Sequence, residues 1–549
     1  MDKKPTVKDI RELKEKFVNS AEFMKLHGAL REDEAYFERD FADKLKLPKQ
    51  FKDEATILPS ARDIVLAAVD HTDIYNARVF VPQHPSFKGD SNAAKEYSEM
   101  LRKMWLGIIS MTNTHADLSP WRTAATHFWE LGLTIVNTLY DPHMWPDKPS
   151  RDKYNSEGEY NDAIDLWRSE SHENLPIVIR PVNPINVLFD PSPGRPAVVM
   201  EKYNRMCIDI KQRWPDWGNP LSRKDFDDVE WISYWDGKYY SYLADDEPVL
   251  KTDVTAHGYG FCPYRLAFTG MGTVSSDNAL SKKAVGLIRH LRDVLVSESR
   301  AYSIQDIVMK RAGWPVMFAE GDHAAELQNT SLDYGVMNKM PPGVTIKQLQ
   351  LAVPPAELMM HYGMASQIIH QHAAPPSVMG LPTEKGMGFH RERILMQEAA
   401  RKYSYGREAF RHLAEGVLID AARIIKNVVP DDVRVWAQTP NDEFDIVVKK
   451  DQLKEPFVLS LEFSPVDELD EFQRHENLRA NVQAGLMSPE TAREKGLPNI
   501  DAESEAVKIA AYQLLQSPAV QQVIQMYAAQ KLQEALVRKE LQSQVTNED

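Results

Sequence analysis

Ala373-Ala-Pro-Pro-Ser-Val-Met-Gly-Leu-Pro-Thr-Glu-Lys-Gly-Met-Gly388 closes the irregular middle of a longer stretch, Ser281 to Lys426, around which the chain is organised. Two helical patterns flank that middle. Upstream, Leu287, Leu291, Val294 and Leu295 recur at helical spacing, and the pattern resumes at Tyr302, Gln305 and Met309 until Gly313-Trp-Pro315 stops it. A helix from Ser281 to about Arg311 would span about 45 Å. Downstream, Leu395, Ala399, Tyr403, Phe410, Leu413, Val417, Ala421 and Ile424 share one stripe. They predict a helix from Phe389 to about Lys426, about 57 Å long. Between the two, Trp314–Phe318 and Val344–Leu351 read as strands, and Pro354-Pro-Ala-Glu357 opens a shorter helix to about Ala373. No catalytic group of a standard kind sits there. Long regular elements around a middle without chemistry point to a scaffold.

Working outward, the N-terminal side reads as an α+β domain. Ile10, Leu13, Phe17, Phe23, Leu26 and Leu30 stand at helical spacing among Glu and Lys, which predicts a surface helix pair or peripheral arm. Ser60 is placed to cap an apolar helix. Tyr97, Leu101, Met104, Trp105 and Ile108 form one helix face, and Ser119-Pro120 starts the next helix. Phe128 and Trp129 on that helix read as core rather than as a platform for bases. Residues 141–174 are rich in Pro, Asp and Glu and read as an exposed insertion. Short strands follow at Ile177–Asp190 and Val198–Met200, and alternating residues around Asp236-Gly237 predict a hairpin over Val229–Leu243. Beyond the central stretch, Val433–Phe463 is strand-like. Asp467 to the end is helical, with helix starts at Ser488-Pro489 and Ser517-Pro518.

Composition narrows the classes of function. At 549 residues the chain divides into roughly three or four folding units. Hydrophobic residues at 43% and charged residues at 26% are those of an ordinary globular protein. No apolar run of membrane-spanning length occurs, and the first residues do not form a secretory signal. Two cysteines, Cys207 and Cys262, are too few for a disulfide framework and read as buried thiols. A net charge of −15 argues against a broad basic grip on nucleic acid; it excludes neither a local basic element nor a passage through which DNA slides, and charge alone does not choose between them.

The enzyme motifs are missing. There is no G-x-x-x-x-G-K-[ST], H-E-x-x-H, G-x-S-x-G or CxxC. His361, His370 and His372 lack paired carboxylates and the spacing of a shared helix face, so no metal and no cofactor is expected. The glycines of Gly380–Gly388 lack the preceding strand and following Lys-Ser/Thr of a phosphate cradle, which leaves a loop. Arg401, Lys402, Arg407 and Arg411 cluster on the first half of the long helix, partly balanced by Glu398 and Glu408.

The order of elements resembles the portal proteins of tailed bacteriophages, from about Leu58 to Ala519. The likeness rests on Asn186-Val-Leu-Phe-Asp-Pro191, Cys262-Pro-Tyr264, Phe268-Thr-Gly-Met-Gly272, Ala374-Pro-Pro-Ser-Val-Met-Gly380 and Gly485-Leu-Met-Ser-Pro-Glu-Thr-Ala492. It implies an α+β portal fold with wing, helical stem, clip and C-terminal helical crown. By this resemblance residues 1–280 (an N-terminal arm plus an α+β domain) and 427–466 are the wing. Residues 281–311 and 354–373 are the stem helices, 312–353 the clip, 374–388 the tunnel loop, 389–426 the long wing helix and 467–549 the crown.

The family's role carries further expectations. The protein would be a non-enzymatic, dodecameric ring at one capsid vertex of the virion, assembled in the host cytoplasm. It would pass double-stranded DNA during packaging and ejection. Its partners would be the terminase, the major capsid protein and scaffold, and later the head–tail connector or adaptor, with no membrane. Lys385, His390, Arg391 and Arg393 would face DNA, and Gly380, Thr383, Glu384, Gly386 and Gly388 would form the tunnel loop. Trp314, Asp333, Tyr334 and Lys339 would dock partners at the clip. Another head–tail or tail structural protein, or a cytoplasmic enzyme without a recognisable motif, are the alternatives.

Overall fold

Thr6 starts the first helix, α1 (Val7–Val18), with a reciprocal cap. Its hydroxyl accepts from the Asp9 N–H, and Asp9 accepts from the Thr6 N–H at 2.8 Å. The computed structural model describes residues 4–72, 74, 77–87, 91–114, 118–190, 195–274, 279–313, 317–320, 345–348, 356–372, 401, 403–438, 443–463, 468–489, 492 and 509–510. The chain forms two units, Met1–Trp436 with Asp445–Phe463, and Ala437–Phe444 with Ser464–Asp549.

In the first unit α2 (Ala21–Phe37) follows α1 directly. Ile10, Phe23, Leu26 and Leu30 are all buried. The surface helix pair that the spacing predicts is present, and it packs this stripe onto the body rather than standing off as a peripheral arm. Most of its charges line the outer faces, while Asp33 shares the buried stripe.

Next come α3 (Ser60–Asp70), β1 (Arg78–Phe80), α4 (Ser91–Thr114), α5 (Pro120–Leu131) and β2 (Leu133–Tyr140). Ser60 is the first residue of α3 rather than its side-chain cap. The start of α5 is the one its sequence predicts, with Pro120 at the first turn and the Ser119 hydroxyl accepting from the Arg122 N–H at 3.3 Å. Gly132 ends it at φ +77°, a conformation that disfavours any side chain. Trp105, Phe128 and Trp129 are fully buried, as a core reading requires.

The insertion after β2 is a small lobe built on α6 (Glu157–Ser171). Trp145 and Trp167 meet edge to face at 6.0 Å. Their indole N–H groups donate to the Asn174 and Pro146 carbonyls, each at 2.8 Å. The acidic surface that reads as a loose insertion covers an aromatic pair.

The strands β3 (Ile177–Val182), β4 (Val187–Phe189) and β5 (Val199–Met206) lead to α7 (Cys207–Arg213). They are followed by β6 (Asp228–Trp235), β7 (Tyr239–Ala244), β8 (Glu247–Pro248), β9 (Thr255–Ala256) and β10 (Tyr264–Phe268). Two antiparallel sheets result. One has the order β10-β2-β3; the other runs β4-β5-β6-β7-β8, with β9 also paired to β7. The predicted hairpin is β6–β7, with Trp235 opposite Tyr240. Asp236 shapes its turn by accepting from the N–H groups of Lys238 and Tyr239 at 2.7 and 2.6 Å. Cys207 and Cys262 are free and buried, and burial pushes the Cys262 thiol up to about 12.

The chain then passes α8 (Leu280–Lys283), α9 (Arg292–Gly313), β11 (Met317–Glu320), β12 (Thr345–Gln348), α10 (Ala356–His372) and α11 (Ser404–Asn427). β13 (Val433–Gln438) pairs with β14 (Glu443–Val448), and β15 (Ser460–Glu462) returns to pair antiparallel with β1. In the second unit, α12 (Glu468–Gln483) ends near Gly485, whose φ is +69°.

Two helices differ from the sequence pattern. The first long helix begins at Arg292, not Ser281. Residues 284–288 are held by α5 instead: the Leu287 N–H donates to the Trp129 carbonyl at 2.9 Å. A Cβ on Gly286 would strike the Glu130 carbonyl, and one on Gly132 would strike the Val285 backbone. Two glycines thus let two backbones cross where helical spacing alone predicts a continuous helix. In the second long helix, residues 389–400 lie outside the described set, Arg401 is helical, Tyr403 is a turn, and α11 follows from Ser404. Its 24 residues span about 36 Å.

Candidate functional site

α9 and α10 pack side by side, joined through the antiparallel pair β11–β12, in which Met317 faces Gln348 and Glu320 faces Thr345. Among the described residues, the two strands lie between the two helices in sequence and pair antiparallel. Ala301 and Ile307 of α9, and Ala365 and Ile369 of α10, are buried. Tyr302 and Tyr362 bring their rings to 6.0 Å.

The other side of α10 is apolar and open. Met360, Met364 and Ile368, at one-turn intervals, are 67%, 60% and 37% exposed, and Met359 and Met309 are exposed as well. A helix that is apolar on two faces is normally covered on both. Here α9 covers one.

Three buried carboxylates fix the surrounding body. Asp33 of α2 receives Arg289 Nε and Arg292 Nε, each at 2.9 Å, one on each oxygen. Burial raises the Asp33 carboxyl while the two guanidiniums pull it back. Asp420 of α11 receives Arg265 of β10 at 2.6 and 3.1 Å and is also paired with Arg195. Glu201 of β5 is held by Arg180 at 2.6 and 2.7 Å and by the Tyr264 hydroxyl at 2.5 Å, so burial beside a carboxylate drives that phenol well up. Each group is satisfied by its neighbours, which is the chemistry of a joint, not of a reaction.

Glu130, at the end of α5, differs. It is 5% exposed, and Asp33, Glu34 and Glu38 of α2 are its charged neighbours. Burial and then these like charges push its carboxyl up to about 8.

The basic residues on the long helix are accounted for in part. Arg407 is half-buried and donates to the Phe463 carbonyl at 3.1 Å. Arg411 pairs with Glu408 and Glu415 and donates to the Ser460 hydroxyl at 3.2 Å. Lys385, His390, Arg391 and Arg393 lie outside the described residues, as do Gly380, Thr383, Glu384, Gly386, Gly388, Trp314, Asp333, Tyr334 and Lys339. His361 is exposed, and the side chains of His370 and His372 are outside the described set. Among the described residues no group of three or more His, Cys, Asp or Glu is placed to hold a metal ion. Among them, too, no helix is long and apolar enough to cross a membrane.

No protein-family model matches the chain, and no curated protein matches it. Solved structures do. A chain from the neck of an empty gene transfer agent particle, computed with C6 symmetry, is 10% identical. Its TM-score is 0.38, over 79% of this chain and 89% of its own. A chain from the virion of a native gene transfer agent particle is also 10% identical, with a TM-score of 0.36 over 82% of this chain and 92% of its own.

Proposed function

We propose that the protein is a portal subunit of a tailed-phage particle: one copy in a ring whose central hole passes double-stranded DNA at a capsid vertex. The observation that carries this reading is the packing of α9 on α10 and the antiparallel pairing of β11 with β12, with the row of exposed apolar residues at Met360, Met364 and Ile368. Two paired helices with two paired strands between them in sequence suit a stem with a clip, and the open row suits a neighbouring copy. The acidic balance of the chain fits a wall along which DNA slides. A terminase would dock at the clip for packaging and a head–tail connector would replace it afterwards, with major capsid protein and scaffold around the body. On this reading residues 374–388 are the tunnel loop, with Lys385, His390, Arg391 and Arg393 beside the DNA.

Native mass spectrometry and negative-stain imaging of the purified chain, with and without scaffold, test the reading. A dodecameric ring with a central hole is the expected result. A monomer or dimer under both conditions at high concentration would overturn it. Charge reversal at Lys385 and Arg391 should leave the ring intact and lower packaged DNA; unchanged packaging would remove those residues from the channel.

A further inference from the structure

We propose that residues 6–58 are a brace that sets the pose of α9 on the sheet body, clamped at Asp33. This goes beyond the portal reading and does not depend on it.

The brace is fixed at three levels. At its start, α1 packs against the larger sheet, touching β4 and reaching Glu230 of β6 and Asp246 in the turn between β7 and β8. Arg11 Nε donates to the Asp246 carbonyl at 2.8 Å, and Lys14 pairs with Asp246 at 2.8 Å and with Glu230. In its middle, α2 reaches the approach to α9. Glu22 accepts from the Leu280 N–H at 3.1 Å, Asp33 takes Arg289 and Arg292, and Arg292 also donates to the Ala29 carbonyl at 2.7 Å. Its last part runs along α9 itself. Arg300 donates to the Leu45 carbonyl at 2.7 Å. The Ser303 hydroxyl accepts from the Thr56 N–H at 3.0 Å, and the Ser299 hydroxyl accepts from the Leu58 N–H at 3.3 Å.

The brace belongs to the main core through Phe23, Leu26, Leu30, Leu45 and Ile57, and to that packing it adds polar contacts with α9. Arg300, Ser299 and Ser303 read the backbone of the brace, and Arg292 reads the Ala29 carbonyl and the carboxylates of Asp33 and Glu32. Ser299 and Ser303 are buried, so their hydroxyls serve the brace instead of water. Meanwhile α9 has no continuous helical link to the sheets, because residues 284–288 cross α5 in an irregular conformation. The helix therefore enters from a crossing held by backbone contacts, and the brace supplies a second line of fixation along its length. Loss of these polar contacts should loosen α9 before it loosens the sheets.

Hydrogen exchange on the full chain tests this with two variants. Ser299→Ala with Ser303→Ala removes both hydroxyls. Amides of α9 should then exchange faster, on the order of tenfold, while those of β2, β5 and β6 keep their rates. Asp33→Asn should shift the acceleration to the first turns of α9 and to residues 284–291. Unchanged exchange along α9 in the serine variant, or equal acceleration in the sheets, would overturn the proposal. Should Asp33→Asn fail to fold, the serine variant decides alone.

Discussion

Arg265 of β10 lays Nε and Nη2 along the two oxygens of Asp420 on α11, at 2.6 and 3.1 Å, and this pair pins the long helix across the smaller sheet. Gly416, one turn earlier on the same helix, makes room for the guanidinium: a Cβ there would collide with it. Asp420 is 1% exposed and also answers Arg195, with Arg423 at 3.7 Å. Asp420→Ala leaves the arginines facing one another without a counter-charge. The expected loss is about 3–5 kcal/mol, measured by chemical denaturation. Arg423→Ala, the weaker and more exposed partner, should cost under about 1 kcal/mol.

Glu130 makes stability depend on pH in the direction opposite to a salt-bridged acid. Its carboxyl is raised from an ordinary 4.5 to about 8, so the folded protein holds a proton that the unfolded chain has released. Between those values the folded state binds more protons, and stability falls as pH rises. Its contribution is intact below 4.5, and the decline is complete above about 8. Glu130→Gln should therefore match the parent in acid and exceed it progressively towards pH 8, with no further gain beyond. Urea midpoints across that range check this; parallel curves would show that Glu130 is ionised throughout.

Two glycines give opposite predictions. Gly286 meets the Glu130 carbonyl where any Cβ would sit, so Gly286→Ala must part the crossing and should cost more than about 2 kcal/mol. Gly28 lies inside α2 with nothing within 4 Å of its would-be Cβ. There Gly28→Ala reduces only the freedom of the unfolded chain and should stabilise by about 0.4–1 kcal/mol. Thermal melts of both variants separate the cases.

The open row on α10 predicts assembly without stability. Met360→Lys with Met364→Lys places charge on side chains that are already more than half exposed. The isolated chain should unfold within about 0.5 kcal/mol of the parent. Its self-association, read by native mass spectrometry, should be abolished. Unimpaired rings would show that a different face makes the contact.

Local signals were legible wherever a few adjacent residues determine the backbone. Ser119-Pro120 and Gly132 bound α5, and Asp236-Gly237 turns the β6–β7 hairpin, as the chain itself predicts. The start of α9 was not legible, because Leu287 and Leu291 keep helical spacing while Gly286 is claimed by α5, a partner far away in sequence. Asp33 and Asp420 were hidden for another reason. Asp33 occupies the apolar stripe of Phe23, Leu26, Leu30 and Phe37, and Asp420 that of Leu413, Val417 and Ile424. A carboxylate at a stripe position is a sign of a buried counter-charge, yet in Arg31-Glu-Asp-Glu34 it looks like one more surface acid.

The lobe of residues 142–175 leaves and rejoins the smaller sheet at a single point. Tyr140 stands opposite Ile177, and the Asp141 N–H donates to the Pro176 carbonyl at 3.0 Å. β2 and β3 are thus already antiparallel neighbours, and their register owes nothing to what joins them. The lobe is a graft on a hairpin that also closes the core: Trp145, Trp167 and Leu175 join the main cluster, and Lys148 pairs with Asp431 at 2.7 Å. Exchanging it for a tight turn would keep the strand register and uncover part of that core.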